Sequence, residues 1–212
     1  MKTVTAFFGG SFDPPHLGHL GVARGALQSG ACGRVVWVPA WSQPHKQGVK
    51  TAPFAHRLAM TELLIRGEAG MAASDIEARL RLQPSYTVDV LKHFAAELSA
   101  DEEPALLIGA DSLLALHTWH RAEELVAACR ILTYPRPGCA VTEEILARHW
   151  PGKTAGKLLS GVMEGVFFEI SSTEIRNSMA KTENRSHIIE ADKCPLSAAV
   201  RGYCEKHALY QD

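Results

Sequence analysis

Three observations predict an α/β protein with a doubly wound, mainly parallel sheet and helices on both faces. Strand-like and helix-like segments alternate along the chain. A loop rich in glycine and histidine separates the first strand from the first helix. A hydroxyl-rich turn opens a late helix. In order, Val4–Phe8 is branched and aromatic and reads as a buried strand, and His19–Gln28 places Leu20, Ala23 and Leu27 at helical spacing. Arg34–Pro39 reads as a second strand. Phe54–Arg66 reads as an amphipathic helix with Leu58, Leu64 and Ile65 inward, and Met71–Ser74 as a short strand. Thr87–Leu98 carries Val88, Leu91, Phe94 and Ala95 on one helical face, and Ala105–Ile108 is a buried strand ended by Gly109. Leu113–Leu116 and Ala122–Ala127 read as short helices, and Arg130–Tyr134 as a strand stopped by Pro135. Pro135–Gly138 and Pro151–Gly156 read as loops. Val166–Ile170 reads as a later strand, Thr173–Met179 as a helix and Ser197–His207 as the closing helix.

Composition bounds the possibilities. At 212 residues the chain can bury one full core. Residues 1–212 read as a single domain, whose last part, from about residue 165, carries the hydroxyl-rich turn and the closing helix. The net charge of −1 gives no support for nucleic acid or an acidic membrane as partner. No apolar run approaches the length of a membrane span, and Lys2 leads directly into strand-like sequence, so a cytoplasmic location is expected. The cysteines, Cys32, Cys129, Cys139, Cys194 and Cys204, are odd in number and contain no CxxC pair. Buried thiols are expected rather than a disulfide framework or zinc site. The ten histidines contain no HExxH, so no dedicated protein-held metal is expected. Nothing in the sequence speaks to oligomeric state.

The most informative stretch is Gly9-Gly10-Ser11-Phe12-Asp13-Pro14-Pro15-His16-Leu17-Gly18-His19. A strand-to-helix loop is where an α/β protein places a phosphate, because the helix start presents N–H groups and positive potential. Gly9 and Gly10 predict a sharp turn with bare amides. His16 and His19 lie three residues apart, so their imidazoles share one side of the turn. A polyphosphate nearby would raise their pKa and make them cationic. A glycine turn with incidental histidines is the ordinary alternative, but the whole string is too specific for that. There is no Gly-Lys-Ser/Thr ending and no GxGxxG, which argues against a P-loop or a dinucleotide cofactor. A second stretch, Ile170-Ser171-Ser172-Thr173-Glu174-Ile175-Arg176, predicts a helix capped by Ser172 or Thr173, with Arg176 one turn in. Hydroxyls, amides and a guanidinium fork together suit phosphate oxygens. In isolation an ordinary capped helix would look the same.

These two stretches, GGxFDPxHxGH and ISSTxIR, resemble the HxGH nucleotidyltransferases with their Rossmann-like fold, and within them the nicotinate-mononucleotide adenylyltransferases. Pro44-His45-Lys46, Pro84-Ser85-Tyr86-Thr87-Val88-Asp89, Gly109-Ala110-Asp111-Ser112 with Trp119, and the closing His207-Ala208-Leu209-Tyr210 extend the similarity along nearly the whole chain. Val90, Gln43, Ala40-Trp41 and His120 depart from that family's usual residues.

The resemblance implies transfer of AMP from ATP to nicotinate mononucleotide, giving deamido-NAD and pyrophosphate, with Mg²⁺ arriving on ATP. It implies His16, His19, Lys46 and Arg176 as the catalytic set. ATP would be held by Gly9, Gly10, Ser11, Phe12, His16, His19, Asp111, Ser172, Thr173 and Arg176. Nicotinate mononucleotide would meet Lys46, Ser85, Tyr86, Thr87, Asp111, Trp119 and His120. Physical chemistry supports several of these roles. A carboxylate at a sheet's carboxyl edge suits ribose hydroxyls, an indole face suits a pyridine ring, and amides at a helix start suit a carboxylate. Each residue also has a plainer role open to it. Lys46 could be a solvated loop lysine, Asp111, Ser85 and Thr87 helix caps, and Trp119 a core residue. Three alternatives stay open at this point: a nicotinamide-mononucleotide enzyme, another HxGH-type transferase, or a nucleotide-sensing module without catalysis.

Overall fold

The structure is a computed structural model that describes residues 2–41, 51–164, 170–180 and 195–211. Five parallel strands, β1 (Thr3–Gly10), β2 (Arg34–Pro39), β3 (Met71–Ala73), β4 (Glu102–Gly109) and β5 (Arg130–Tyr134), form one sheet in the order β3-β2-β1-β4-β5. The chain moves outward from β1 to one edge, then returns to build the other half. The strand order therefore reverses between β1 and β4. Beyond their carboxyl ends lies the crevice where open α/β sheets bind ligands.

The sheet is covered on both faces, so its strands read as apolar runs and not as alternations. Strand geometry divides those runs between two cores. Phe7, Val36, Val38, Leu106 and Ile108 face one way, toward α3 (Ile76–Leu80), α4 (Thr87–Glu97), α5 (Ala110–Ala115), α6 (Ala122–Ala128), α7 (Glu143–Ala147) and α8 (Gly152–Leu159). Ala6, Phe8, Val35, Trp37, Ala105 and Leu107 face the other, toward α1 (Leu17–Gln28), α2 (Phe54–Leu64), α9 (Ser172–Ala180) and α10 (Ala198–Lys206).

Most elements fall where the sequence predicts them, and the departures have physical causes. Helix α1 begins at Leu17 rather than near His19, because His16 itself caps it. Pro151–Gly156 is not a loop. Pro151 is the N-cap of α8, and the helix runs from Gly152 because Ala155 and Leu158 are buried. Helices α3 and α7 have only five residues each, too short for periodicity to reveal. In α2 the inward face is Arg57, Met60, Thr61 and Leu64, and Leu58 is half-buried. Residues 160–163 run beside β5, where Thr133 N–H donates to Gly161 O at 2.8 Å and Met163 N–H donates to Thr133 O at 2.8 Å. A Cβ on Gly161 would sit 1.9 Å from the Ile131 carbonyl oxygen, so only glycine permits that approach. The predicted strand Val166–Ile170 lies outside the described residues except for Ile170. Cys32, Cys129, Cys139 and Cys204 are free thiols. No helix among the described residues is long and apolar enough to cross a membrane.

Candidate active site

The loop between β1 and α1 stands at the crevice, and its conformation follows from its residues. The predicted glycine turn is not the mechanism. Gly9 and Gly10 are the last residues of β1, in register with Val38 and Pro39. Their missing side chains make room for rings instead: a Cβ on Gly9 would lie 2.8 Å from the Phe7 ring, and one on Gly10 3.0 Å from the Phe12 ring. The sharp change of direction is at Phe12, whose φ of 46° is left-handed. That conformation sends the Phe12 ring down into the core, 5.1 Å from the Trp37 ring and 5.1 Å from the His19 ring. Phe12 therefore supports His19 from below and offers a nucleotide only its backbone.

The two histidines cap the helix reciprocally. His19 N–H donates to His16 Nδ1 at 3.4 Å, and His16 N–H donates to His19 Nδ1 at 3.3 Å. The rings stack with centroids 3.7 Å apart. With each Nδ1 accepting, the neutral tautomer carries its proton on Nε2, and the pair presents two N–H donors. Gly18 leaves room between them, since a Cβ there would lie 3.0 Å from His16 Nδ1 and 3.2 Å from Ile170 Cβ, a tighter fit than most side chains make.

The surroundings that the fold itself supplies favour a neutral His16, and the expected upward shift belongs to a bound polyphosphate. Burial, aided by the positive charge of Arg136, lowers its pKa from 6.5 to about 4. His16 is thus a neutral donor at pH 7. The same shift sets a stability window. Below pH 6.5 the unfolded chain takes up a proton that folded His16 refuses until about pH 4. Its contribution is complete above pH 6.5 and is lost as the pH falls to about 4, amounting to about 3 kcal/mol. Urea melts at pH 7.5 and 4.5 should show this loss. His16→Asn keeps a good cap without the titration, so it should flatten the slope; an unchanged slope contradicts the assignment.

Two buried groups, Arg57 and Asp13, and two half-buried ones, Ser172 and Arg176, fix the loop. Arg57 of α2 donates from Nη1 to Ser11 O at 2.8 Å, from Nη2 to Ala40 O at 2.7 Å and from Nε to Ala52 O at 3.0 Å. Asp13, fully buried, accepts through Oδ1 from Ala52 N–H at 3.0 Å and from the Tyr210 hydroxyl at 2.7 Å. From α9, Arg176 Nη1 donates to Asp13 O at 2.6 Å, and Ser172 Oγ donates to Pro14 O at 3.0 Å. The two motifs, about 160 residues apart in sequence, are therefore bonded to each other. The cap of α9 is Ser171, whose Oγ accepts from Thr173 N–H at 3.2 Å, and not Ser172 or Thr173. Thr173 Oγ1 instead accepts from Arg176 Nη2 at 3.2 Å.

A cleft of about 450 Å³ opens beside the histidines, walled by α1, by the start of α9 and by the segment after β5. Tyr134 and Arg136 line it. The Arg136 guanidinium lies over the Tyr134 ring at 5.5 Å and donates through Nη2 to its hydroxyl at 3.1 Å. It also pairs with Asp111 at the head of α5, Nε to Oδ1 at 3.1 Å. Gly109 permits this crossing, since a Cβ there would meet Asp111 Oδ1 at 2.4 Å and Arg136 Nε at 2.8 Å.

The predicted acceptor residues gather further along the same sheet edge. Tyr86 is the N-cap of α4 with no side-chain cap, and its ring stacks on His120 at 3.9 Å. Ser85 does not cap α4; its hydroxyl donates to Glu77 Oε2 at 3.2 Å, and the same oxygen accepts from Trp41 N–H at 3.0 Å. Burial raises the Glu77 pKa, while these bonds oppose the rise. Thr87 is the first residue of α4, not a cap, so its amide belongs to the anion-attracting helix start. Trp119 is partly buried and packs against the α4-side core, which fixes its orientation. Lys46 lies outside the described residues. Among the described residues no group of three or more His, Cys, Asp or Glu side chains is placed to hold a metal ion.

Sequence reasoning missed Arg57, Tyr134, Arg136 and Tyr210. A buried arginine on a helix face breaks the apolar pattern, and this was the only available signal for Arg57. The other three owe their positions to tertiary packing alone.

The sheet, its switch point and the doubly capped histidine loop define a nucleotidyltransferase type of α/β protein, and residues 7–178 match the cytidylyltransferase-like family model. A relative from Symbiobacterium thermophilum, named a probable nicotinate-nucleotide adenylyltransferase, is 39% identical over 207 residues, covering 97% of this chain and 94% of its own. Another of that name, from Solibacter usitatus, is 36% identical over 97% of this chain and 98% of its own. The chain belongs to the nicotinate-nucleotide adenylyltransferase family. A solved nicotinic acid mononucleotide adenylyltransferase from Plasmodium falciparum, in complex with NaAD, shares the fold with a TM-score of 0.74 at 20% identity, over 98% of this chain and 97% of that one.

Proposed function

We infer that this protein is an enzyme of NAD biosynthesis. It transfers AMP from ATP to nicotinate mononucleotide, giving nicotinate adenine dinucleotide and pyrophosphate. The observation that carries the chemistry is the capped pair His16 and His19, stacked ring on ring with both Nδ1 atoms turned to the helix start and both residues lining the cleft. An oxygen of the acceptor phosphate forms a bond to the α-phosphorus of ATP as the bond to the pyrophosphate oxygen breaks. That phosphate is ionised at pH 7, so no base removes a proton and no side chain acts as nucleophile. Catalysis is positioning plus charge stabilisation. His16 and His19 donate to phosphate oxygens as charge moves to pyrophosphate.

We place the triphosphate between Gly9, Gly10 and Ser11 on one side and Ser172, Thr173 and Arg176 on the other. Asp111 is placed at a ribose, exchanging its bond to Arg136 for one to a hydroxyl. The base end takes the cleft wall of Tyr134 and Arg136. The nicotinate ring takes the region of Trp119, with its carboxylate at the amides that begin α4 near Thr87, beside Ser85, Tyr86 and His120. Lys46 is placed between the two substrates. ATP arrives as its Mg²⁺ complex, with the ion held by phosphate oxygens and water. We place the reaction in the cytoplasm, where ATP is available.

An assay offering nicotinate and nicotinamide mononucleotides separately, each with Mg²⁺ and ATP, tests this reading. Pyrophosphate release should be at least tenfold faster with the acid, since helix-start amides favour a carboxylate by about 1.4 kcal/mol or more. Equal or faster release with the amide overturns the acceptor. Release with neither overturns the enzyme.

A further inference from the structure

We propose that Tyr210, at the C-terminal end of the chain, is a positioning residue for the triphosphate-binding end of the site, acting through Asp13 on Arg176. The inference rests on the reading of the site as one for ATP.

The argument begins with Asp13, a carboxylate with no exposure to solvent. Its Oδ1 is satisfied by two donors, Ala52 N–H and the Tyr210 hydroxyl. Its Oδ2 is buried without a hydrogen-bond partner and lies 3.7 Å from Arg176 Nη1. That same nitrogen donates to the Asp13 backbone carbonyl at 2.6 Å, so Arg176 is held at the loop's backbone and not drawn fully onto the carboxylate. A buried carboxylate needs charge-assisted donors. Tyr210 supplies one of the two on Oδ1, and so limits the demand that Asp13 makes on Arg176.

The tail is built to deliver that hydroxyl. Ala208 and Tyr210 both take left-handed backbone, with φ of 48° and 62°. Leu209 N–H donates to Cys204 O at 3.0 Å, and the Leu209 side chain packs on the core beneath α10. Burial, reinforced by the bond to Asp13, raises the Tyr210 pKa far above its usual range, so its hydroxyl stays a donor at every pH at which the protein is folded. Without that donor the carboxylate turns to the nearest remaining one, Arg176 Nη1, and draws the guanidinium toward Oδ2. The β- and γ-phosphates then lose a partner, and the α-phosphate and adenosine do not.

The test compares two probes, a non-hydrolysable ATP analogue and AMP, on Tyr210→Phe and Leu209→Ala. Tyr210→Phe keeps the ring and removes only the oxygen. Leu209→Ala loosens the tail's packing and keeps the Tyr210 bond. Tyr210→Phe should weaken the analogue about fivefold to tenfold, the worth of one charge-assisted hydrogen bond. AMP affinity should stay within about twofold, and KM for ATP should rise more than kcat falls. Leu209→Ala should lower the melting temperature and leave the ratio of analogue to AMP affinity at the wild-type value. If Tyr210→Phe lowers only the melting temperature, or if Leu209→Ala shifts the ratio equally, the tail is a cover and the proposal fails. If the wild-type protein binds neither probe, the nucleotide-site reading fails and takes this inference with it.

Discussion

Replacing His16 with asparagine should lower turnover by about a thousandfold and leave the protein folded at pH 7.5, the loss expected when a donor aimed at developing charge is removed. His16 has two jobs in the structure. Its Nδ1 caps α1 by accepting from His19 N–H, and its ring lines the cleft. Asparagine is among the best N-caps and reaches the helix amides through its side-chain oxygen. The capping job therefore survives and the donor at imidazole reach is lost. His16→Ala loses both, so it should show the same kinetic defect together with a stability loss of about 1 kcal/mol. Steady-state pyrophosphate release and urea melts on the two variants separate the roles. A near-wild-type rate for either variant removes His16 from the chemistry.

The largest stability effect is expected at Arg57. Its guanidinium is buried and gives three hydrogen bonds to carbonyls of three separate segments: the loop after β1 at Ser11, the end of β2 at Ala40 and the approach to α2 at Ala52. Burial lowers the Arg57 pKa, and the negative charges of Asp13 and Glu77 oppose that. Arg57→Met keeps apolar volume but leaves three carbonyls without a donor and Asp13 with Arg176 as its remaining nearby countercharge. A loss of about 3–5 kcal/mol follows from uncompensated buried polar groups. For a chain of this length that is a drop of roughly 10 °C in the melting temperature. Arg57→Lys keeps the charge, but a single ammonium cannot span three segments, so it should fall between the two. A change under about 1 kcal/mol for Arg57→Met would show that the loops hold without it.

Much of the architecture was legible because it depends on local rules. A run such as Arg34–Pro39 cannot bury its apolar residues on both faces except as a strand within a covered sheet. The loop after β1 stands out in the sequence because a helix start with small residues and imidazoles suits an anion. Its geometry was not legible. The sequence points to Gly9 and Gly10 as the turn, yet the turn is at Phe12, because the core accepts the Phe12 ring between Trp37 and His19. The downward shift of the His16 pKa was likewise not legible, since burial is a property of the whole fold.

The candidate site divides in the same way. His16, His19, Ser172 and Arg176 are visible in sequence as residues suited to phosphate. That Arg176 and Ser172 bond to the backbone of the Asp13-Pro14 segment is visible only in three dimensions. Arg57 is marked only by its break in an apolar helix face, and the roles of Arg136 and Tyr210 rest on Asp111 and Asp13, partners that come from distant segments. By itself the sequence determined the order of elements, the two motifs whose residues suit an anion and the family they resemble, since these rest on periodicity and on residue chemistry at short range. Tertiary structure alone decided which buried groups hold the loop, which tautomer the histidines carry and how the tail reaches Asp13. Those outcomes depend on desolvation and on hydrogen bonds between segments as many as 197 residues apart.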